Sequence, residues 1–288
     1  MTDLPTVVDG AWLQERLDDP QLRLLDATTH LRFPTEGGVE LTPGRESYER
    51  EHIPGAVFAD LMGDLADPDA PLPLTVPSSE RFAAAMGALG VGAGTYVVVY
   101  DQFDAARGPD YYQFWAPRLW WHLRLEGFDD VAVLDGGLGA WKAEGRPVTD
   151  AASPGYPPAD FAAARRPGLV VSTDEVQAAI DDPDTVLINA LSPEAYASGH
   201  IPSSHNVFFG TLVDPQTGRF RDPQATRDAF AQLGALDPGK RPVTYCGGGI
   251  AATVAALALA RLGREDVAVY DGSMTAWTAD PARPVGTA

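Results

Sequence analysis

Val131-Ala132-Val133-Leu134-Asp135-Gly136-Gly137, with Trp141 four residues on, returns near the end of the chain as Val267-Ala268-Val269-Tyr270-Asp271-Gly272-Ser273, with Trp277 four residues on. A short apolar run ending in Asp-Gly reads as a buried strand entering a turn. Its return implies that a whole unit is repeated. Working back, Val97-Val98-Val99-Tyr100-Asp101 is echoed by Val243-Thr244-Tyr245-Cys246. Glu51-His52-Ile53-Pro54-Gly55 is echoed by Gly199-His200-Ile201-Pro202-Ser203, and Leu24-Leu25-Asp26-Ala27 by Leu187-Ile188-Asn189-Ala190. The spacing between partners falls from 163 at Asp26 to 148 at His52, 145 at Asp101 and 136 at Trp141. The first copy therefore carries about 15 extra residues around Arg32–Glu46 and about nine around Gly108–Ala116.

Within each copy, apolar runs of strand length alternate with longer helical patterns. In the second copy the order is helix VSTDEVQAAIDD, opened by Ser172 and Thr173 as cap candidates, then strand TVLINA, strand HNVFF and helix TRDAFAQLG. Strand PVTYC, helix AATVAALALARLG and strand VAVYDG follow. Strands alternating with helices predict an α/β fold in which each copy is a mainly parallel sheet flanked by helices. The predicted boundaries are 1–148 for the first domain, 149–167 for a Pro/Ala-rich linker and 168–288 for the second domain.

The chain has 288 residues, 45% of them hydrophobic and 21% charged, enough for a sizeable core. Its net charge of −19 repels phosphate backbones and anionic lipid, so neither a nucleic-acid partner nor a membrane surface is expected. The N-terminus has no basic and apolar leader pattern, and no apolar run is long enough to span a bilayer. A cytoplasmic protein is the expectation. The lone Cys246 cannot form an internal disulfide.

Cys246 ends an apolar strand and runs into Gly247-Gly248-Gly249-Ile250-Ala251, which opens an apolar helix. Glycines adopt positive φ without strain, so this loop is expected to turn successive amides inward. Together with the helix N-terminus they form a cradle for negative charge, suited to a nucleophilic thiolate. A buried structural cysteine is the competing reading. The duplication bears on the choice: the first copy has Asp101 at this position and no glycine loop. One active and one inactive copy are expected.

Taken together, Glu51-His-Ile-Pro-Gly, Ala116-Pro-Arg-Leu-Trp-Trp121, Leu134-Asp-Gly-Gly137, Ser198-Gly-His-Ile-Pro202, the Cys246 loop and Tyr270-Asp-Gly-Ser273 resemble the tandem-domain rhodaneses. These are the thiosulfate and 3-mercaptopyruvate sulfurtransferases, and the resemblance covers nearly the whole chain. It implies two tandem rhodanese-like domains, a non-catalytic first and a catalytic second, with the active site between them. It also implies that Cys246 alternates between thiolate and persulfide, cradled by Gly247, Gly248, Gly249, Ile250 and Ala251 and supported by the Ser273 hydroxyl. The sulfur donor would be thiosulfate or 3-mercaptopyruvate, and the acceptor a thiol, cyanide or a protein thiol.

The sequence departs from that pattern in several places. Gly248 stands where the family has serine or lysine, Ala251 where it has threonine, and Leu191 where it has a substrate-binding arginine. An Asp-and-His pair of the mercaptopyruvate enzymes would fall near Met62 and Pro73 or Leu74 and is missing. His30 and Arg32 follow a strand end in the first copy and are the candidates for replacing the lost cation. A non-enzymatic binding or redox-sensing module is the alternative from a different class. A cysteine phosphatase needs an arginine at position 252, which is alanine. His52 and His200 occupy the same position in both copies, which predicts a turn hydrogen bond rather than catalysis. His200 and His205 lack a third ligand, so no metal is expected, and no cofactor is called for. His122 is expected to be a satisfied core or interface residue, and Tyr111, Tyr112, Phe114 and Trp115 either a cap over the site or interface packing.

Overall fold

In the computed structural model, which describes residues 4–32, 38–102 and 114–288, apolar runs and helices alternate as the sequence pattern predicts. The chain divides into two compact units, Met1–Arg165 with Pro215–Arg219, and Arg166–Asp214 with Phe220–Ala288.

Unit 1 contains β1 (Val7–Val8), α1 (Gly10–Gln14), β2 (Leu22–Asp26), β3 (Thr29–Arg32), β4 (Glu40–Pro43), α2 (Arg45–Arg50) and β5 (Val57–Phe58). These are followed by α3 (Ser79–Ala88), β6 (Tyr96–Tyr100), α4 (Ala116–Leu125), β7 (Val131–Leu134) and α5 (Gly137–Ala143). Unit 2 contains β8 (Val170–Val171), α6 (Thr173–Ala179), β9 (Thr185–Asn189), α7 (Pro193–Ser198) and β10 (His205–Asn206). Then come α8 (Pro223–Ala231), β11 (Arg241–Tyr245), α9 (Ala251–Arg261), β12 (Ala268–Tyr270) and α10 (Ser273–Trp277).

Each unit has a five-stranded parallel sheet. The order is β1-β7-β6-β2-β5 in unit 1 and β10-β9-β11-β12-β8 in unit 2, the same order read from the other edge. The register repeats too: Leu22 pairs with Tyr96 and Thr185 with Arg241. All five residues of β6 are buried, as a strand covered on both faces requires. The extra residues around Arg32–Glu46 supply β4, which pairs antiparallel with β3 as a hairpin that unit 2 lacks.

The repeated motifs hold the same places in both units. Trp141 and Trp277 are fully buried, and each indole N–H donates to a carbonyl, Pro147 at 2.7 Å and Pro284 at 2.9 Å. The imidazole Nδ1 of His52 bonds the Tyr48 carbonyl at 2.7 Å, and that of His200 bonds the Tyr196 carbonyl at 2.9 Å. Each ring stacks on the same tyrosine. These histidines fasten turns, as their presence in both copies predicted. Between 150 and 165 the chain has no helix or strand and is held by Ala159 N–H on the Gly87 carbonyl, Ala164 N–H on that of Glu126, and Tyr156 hydroxyl on that of Gly55.

Ser172 caps α6 through a reciprocal pair: its hydroxyl accepts Glu175 N–H, and the Glu175 carboxylate accepts Ser172 N–H. Ser172→Ala should lower stability by about 1 kcal/mol in urea unfolding without altering the native fold. A variant as stable as the parent would show that tertiary packing alone holds α6.

Candidate active site

β11 delivers Cys246 to the C-terminal edge of the sheet, where open α/β sheets place their ligands. Its side chain is buried, at 2% exposure. Both backbone groups of Cys246 are held by the start of α10. Its N–H donates to Ser273 Oγ at 3.0 Å, and its carbonyl accepts Met274 N–H at 3.0 Å. The Ser273 hydroxyl in turn donates to the Tyr270 carbonyl at 2.8 Å and lies 4.0 Å from Cys246 Sγ. With one proton, and that proton on Tyr270, Ser273 positions the cysteine backbone first and the sulfur second. Ser273 adopts φ +48°, a conformation that costs a non-glycine residue energy and persists where surrounding bonds enforce it.

The loop is turned differently from the sequence expectation. Of its three glycines only Gly249 has positive φ, at +80°. Gly247 and Gly248 do not, and a Cβ built on either meets nothing within 4 Å. One left-handed residue is enough to swing the chain into α9. Gly247 is tied down by its carbonyl, which accepts both the N–H and the hydroxyl of Thr275, at 2.9 and 2.7 Å. Among the described residues, the N–H groups of Gly247, Gly248, Ile250 and Ala251 have no protein acceptor. An unpaired row of amides at a helix start, beside a thiol, is chemically suited to hold a sulfur anion.

Unit 1 fills the same place with a carboxyl group of its own. The Asp101 carboxylate, at the Cys246 position, accepts the N–H groups of Trp115 at 2.6 Å and Ala116 at 2.8 Å, capping α4. Burial pushes its pKa up to about 7, against those two hydrogen bonds, which pull it down, and with a smaller push from the Asp26 charge. Asp26 is raised by burial as well, and accepts hydrogen bonds from Thr28 and Gln102. Its counterpart Asn189 uses Oδ1 to accept Leu191 N–H at 2.8 Å, while its buried Nδ2 has no hydrogen-bond partner among the described residues.

The other candidate residues fall as follows. His30 and Arg32 lie on β3 in unit 1. His30 Nε2 bonds Ser47 Oγ at 2.8 Å, and the exposed Arg32 sits opposite Glu40 in the hairpin. Ile250 and Ala251 lead into α9. Met62 donates its N–H to Asp60 and Leu74 lends its carbonyl to Arg118, both structural contacts. Tyr111 and Tyr112 lie outside the described residues; Phe114 and Trp115 are buried. His122 departs from the expectation of a satisfied core or interface residue in its hydrogen bonding. It is buried and stacked on Phe82 at 3.9 Å, but Nε2 has no hydrogen-bond partner among the described residues, and burial, then Arg118 and Arg165, push its pKa well below the ordinary value. Among the described residues no cluster of three or more His, Cys, Asp or Glu could hold a metal, and no helix is long and apolar enough to cross a membrane. Sequence reasoning missed Thr275. Its signal was available, since the repeat places Gly139 at the same position in the first copy.

This pair of sheets, each ending in the same clamped turn, has counterparts among known proteins. The rhodanese-like domain family model matches residues 9–144 and 172–280, and the chain belongs to that family. It is 33% identical to thiosulfate/3-mercaptopyruvate sulfurtransferase 2 of Arabidopsis thaliana, over 97% of this chain and 86% of the relative. It is also 33% identical to the 3-mercaptopyruvate sulfurtransferase of Escherichia coli K12, over 96% of each. The crystal structure of SseA from Escherichia coli, described as having the rhodanese fold, superposes with a TM-score of 0.77 at 32% identity, covering 93% of this chain and 98% of that one.

Two outcomes follow from this geometry. Gly249→Val forces a β-branched residue to positive φ and should slow alkylation of Cys246 and destabilise unit 2 by about 1–3 kcal/mol, whereas Gly248→Val should be nearly silent. Equal effects of the two would contradict the assigned turn. For Asp101 the folded pKa of about 7 lies above the ordinary 3.8, so the folded state keeps a proton that the unfolded state releases. This contribution is fully present below 3.8 and is lost as pH rises through about 7. In urea unfolding at pH 5 and pH 8, the stability of the parent relative to Asp101→Asn should therefore shrink at pH 8. A constant difference would contradict the raised pKa.

Proposed function

We propose that the protein is a sulfurtransferase that carries a sulfane sulfur on Cys246 as a persulfide. One observation carries the reading. In unit 1 the helix amides behind the strand end are taken by a built-in carboxylate, and in unit 2 the corresponding amides have no acceptor among the described residues and stand beside a thiol.

In the first half-reaction the Cys246 thiolate attacks the outer sulfur of the donor. The new S–S bond forms as the donor's bond to that sulfur breaks, and sulfite leaves from thiosulfate with the bonding electron pair. From 3-mercaptopyruvate the C–S bond breaks and the carbon takes a proton to give pyruvate. In the second half-reaction a thiol, cyanide or a protein thiol attacks the outer persulfide sulfur, and the thiolate is regenerated. Electrons balance between donor and acceptor, so no cofactor is needed. The loop amides and the start of α9 stabilise the negative sulfur in both forms, and burial of Cys246 protects the persulfide from oxidation.

The donor we favour is thiosulfate, used weakly. The β9 end offers Asn189-Ala190-Leu191 in place of a guanidinium, and the loop has neither a lysine nor a serine side chain. His30 and Arg32 are the residues we propose for binding the anionic donor. The chain's relatives are named for thiosulfate and 3-mercaptopyruvate alike, so the second donor is the alternative. A lone free cysteine and the acidic surface suit the cytoplasm, where we place the protein, without nucleic-acid or membrane partners.

Cys246→Ala and Cys246→Ser should abolish transfer from either donor to cyanide or a dithiol while leaving the unfolding midpoint close to that of the parent. Measurable turnover by the Ala variant would remove Cys246 from the reaction. Absence of turnover in the parent with both donors would favour the binding-module reading. Arg32→Ala should raise KM for thiosulfate by the 1.5–3 kcal/mol of a charge-assisted hydrogen bond, roughly tenfold or more, with kcat kept. An unchanged KM would dismiss Arg32.

A further inference from the structure

The duplication gives unit 2 an internal control, and one difference between the copies lies at the opposite end of the sheet from Cys246. In unit 1 the gap between α1 and the start of β6 is plugged by aromatic rings. Trp12 meets Tyr96 edge-on at 6.1 Å, Arg16 lies over the Trp12 ring at 4.2 Å, and the Tyr96 hydroxyl donates to Asp19 at 2.9 Å. The corresponding residues of unit 2 are Glu175 for Trp12, Arg241 for Tyr96, Ala179 for Arg16 and Asp182 for Asp19. With the plug gone, a cavity of about 360 Å³ opens, walled by Val171, Val176, Ala179 and Val243 and edged by Glu175 and Arg241.

The charges at its rim are not equivalent. Glu175 is committed to the α6 cap, accepting Ser172 N–H at 2.8 Å and its hydroxyl at 2.9 Å. Asp182 accepts Asp184 N–H at 3.0 Å and the Thr185 hydroxyl at 2.7 Å. The half-buried Arg241 guanidinium makes no hydrogen bond and no close salt bridge among the described residues; it acts on Glu175 and Asp182 only through its charge, and its donors are left open. Five donors in a rigid fork, set at the edge of a valine-lined hollow, match an anion carried on an apolar body.

We propose that this cavity binds a small organic acid, its carboxylate or sulfonate on Arg241 and its apolar body against Val176 and Val243. Simple inorganic anions are poor candidates, because they leave the valine wall in water. Arg241 opens β11 and Cys246 follows its far end, about 16 Å away at the strand rise. The site is therefore separate from the sulfur chemistry and does not depend on it.

The test uses 2-naphthoate and its neutral counterpart 2-naphthamide, titrated into the full-length protein with labelled valine methyls and read by NMR. Naphthoate should shift the methyls of Val171, Val176 and Val243 and bind about tenfold tighter than naphthamide. Arg241→Gln should bring naphthoate to the naphthamide level while persulfide formation at Cys246 continues. The double variant Glu175→Trp, Arg241→Tyr, which installs the unit 1 plug, should abolish the shifts with both probes. Should that variant fail to fold, the Arg241→Gln comparison decides alone. Undisturbed valine methyls, equal affinity for the two probes, or a naphthoate preference that survives Arg241→Gln would each overturn the proposal.

Discussion

Cys246 is fastened by both of its backbone polar groups to the turn that begins α10, N–H to Ser273 Oγ and carbonyl to Met274 N–H, each at 3.0 Å. This clamp depends on a serine held at φ +48°, and the strain is met by the bonds that the serine makes. The clamp fixes where β11 ends and where α9 begins, and hence where the amide row lies relative to the sulfur. Thr275 repeats the device one step along, on the Gly247 carbonyl. The thiol is thus placed by main-chain geometry on a rigid sheet, with no charged side chain at the loop.

Unit 1 shows what the same scaffold does when it is not asked to carry a labile sulfur. Only the carbonyl half of the clamp persists there, with Leu138 N–H on the Asp101 carbonyl at 2.9 Å, because Gly137 stands in place of the strained serine and has no hydroxyl to offer. The Asp101 carboxylate occupies the amides at the start of α4 permanently. Its pKa of about 7 measures the tension between burial of a charge and two good donors. A helix start that needs an acceptor receives a carboxyl group from the chain in one copy and, in the proposed function, a sulfur anion from the reaction in the other.

The fold was legible because its signals are local and repeated. Four pairs of echoing motifs aligned the two sheets, and the same residues hold the same bonds in both, as His52 and His200 or Trp141 and Trp277 show. Composition also located the cysteine loop. It did not reveal the backbone angles: three consecutive glycines permit positive φ at each, and only Gly249 takes it, because one such residue already completes the turn. Nor did it reveal that His122 Nε2 is left without a partner, since whether a core imidazole finds an acceptor depends on packing from distant segments. Thr275 and the loss of the Trp12–Tyr96 plug were visible only as differences between the copies, and those gain meaning once the strands are in register.

Intact mass measurement after brief incubation with excess thiosulfate or 3-mercaptopyruvate, followed by removal of the donor, tests the persulfide assignment most directly. The protein should gain the mass of one sulfur atom, localised by digestion to the peptide carrying Cys246, and should lose it on addition of cyanide. An unchanged mass with both donors, or a gain that cyanide cannot remove, would contradict the assignment of Cys246 as the carrier of transferable sulfur.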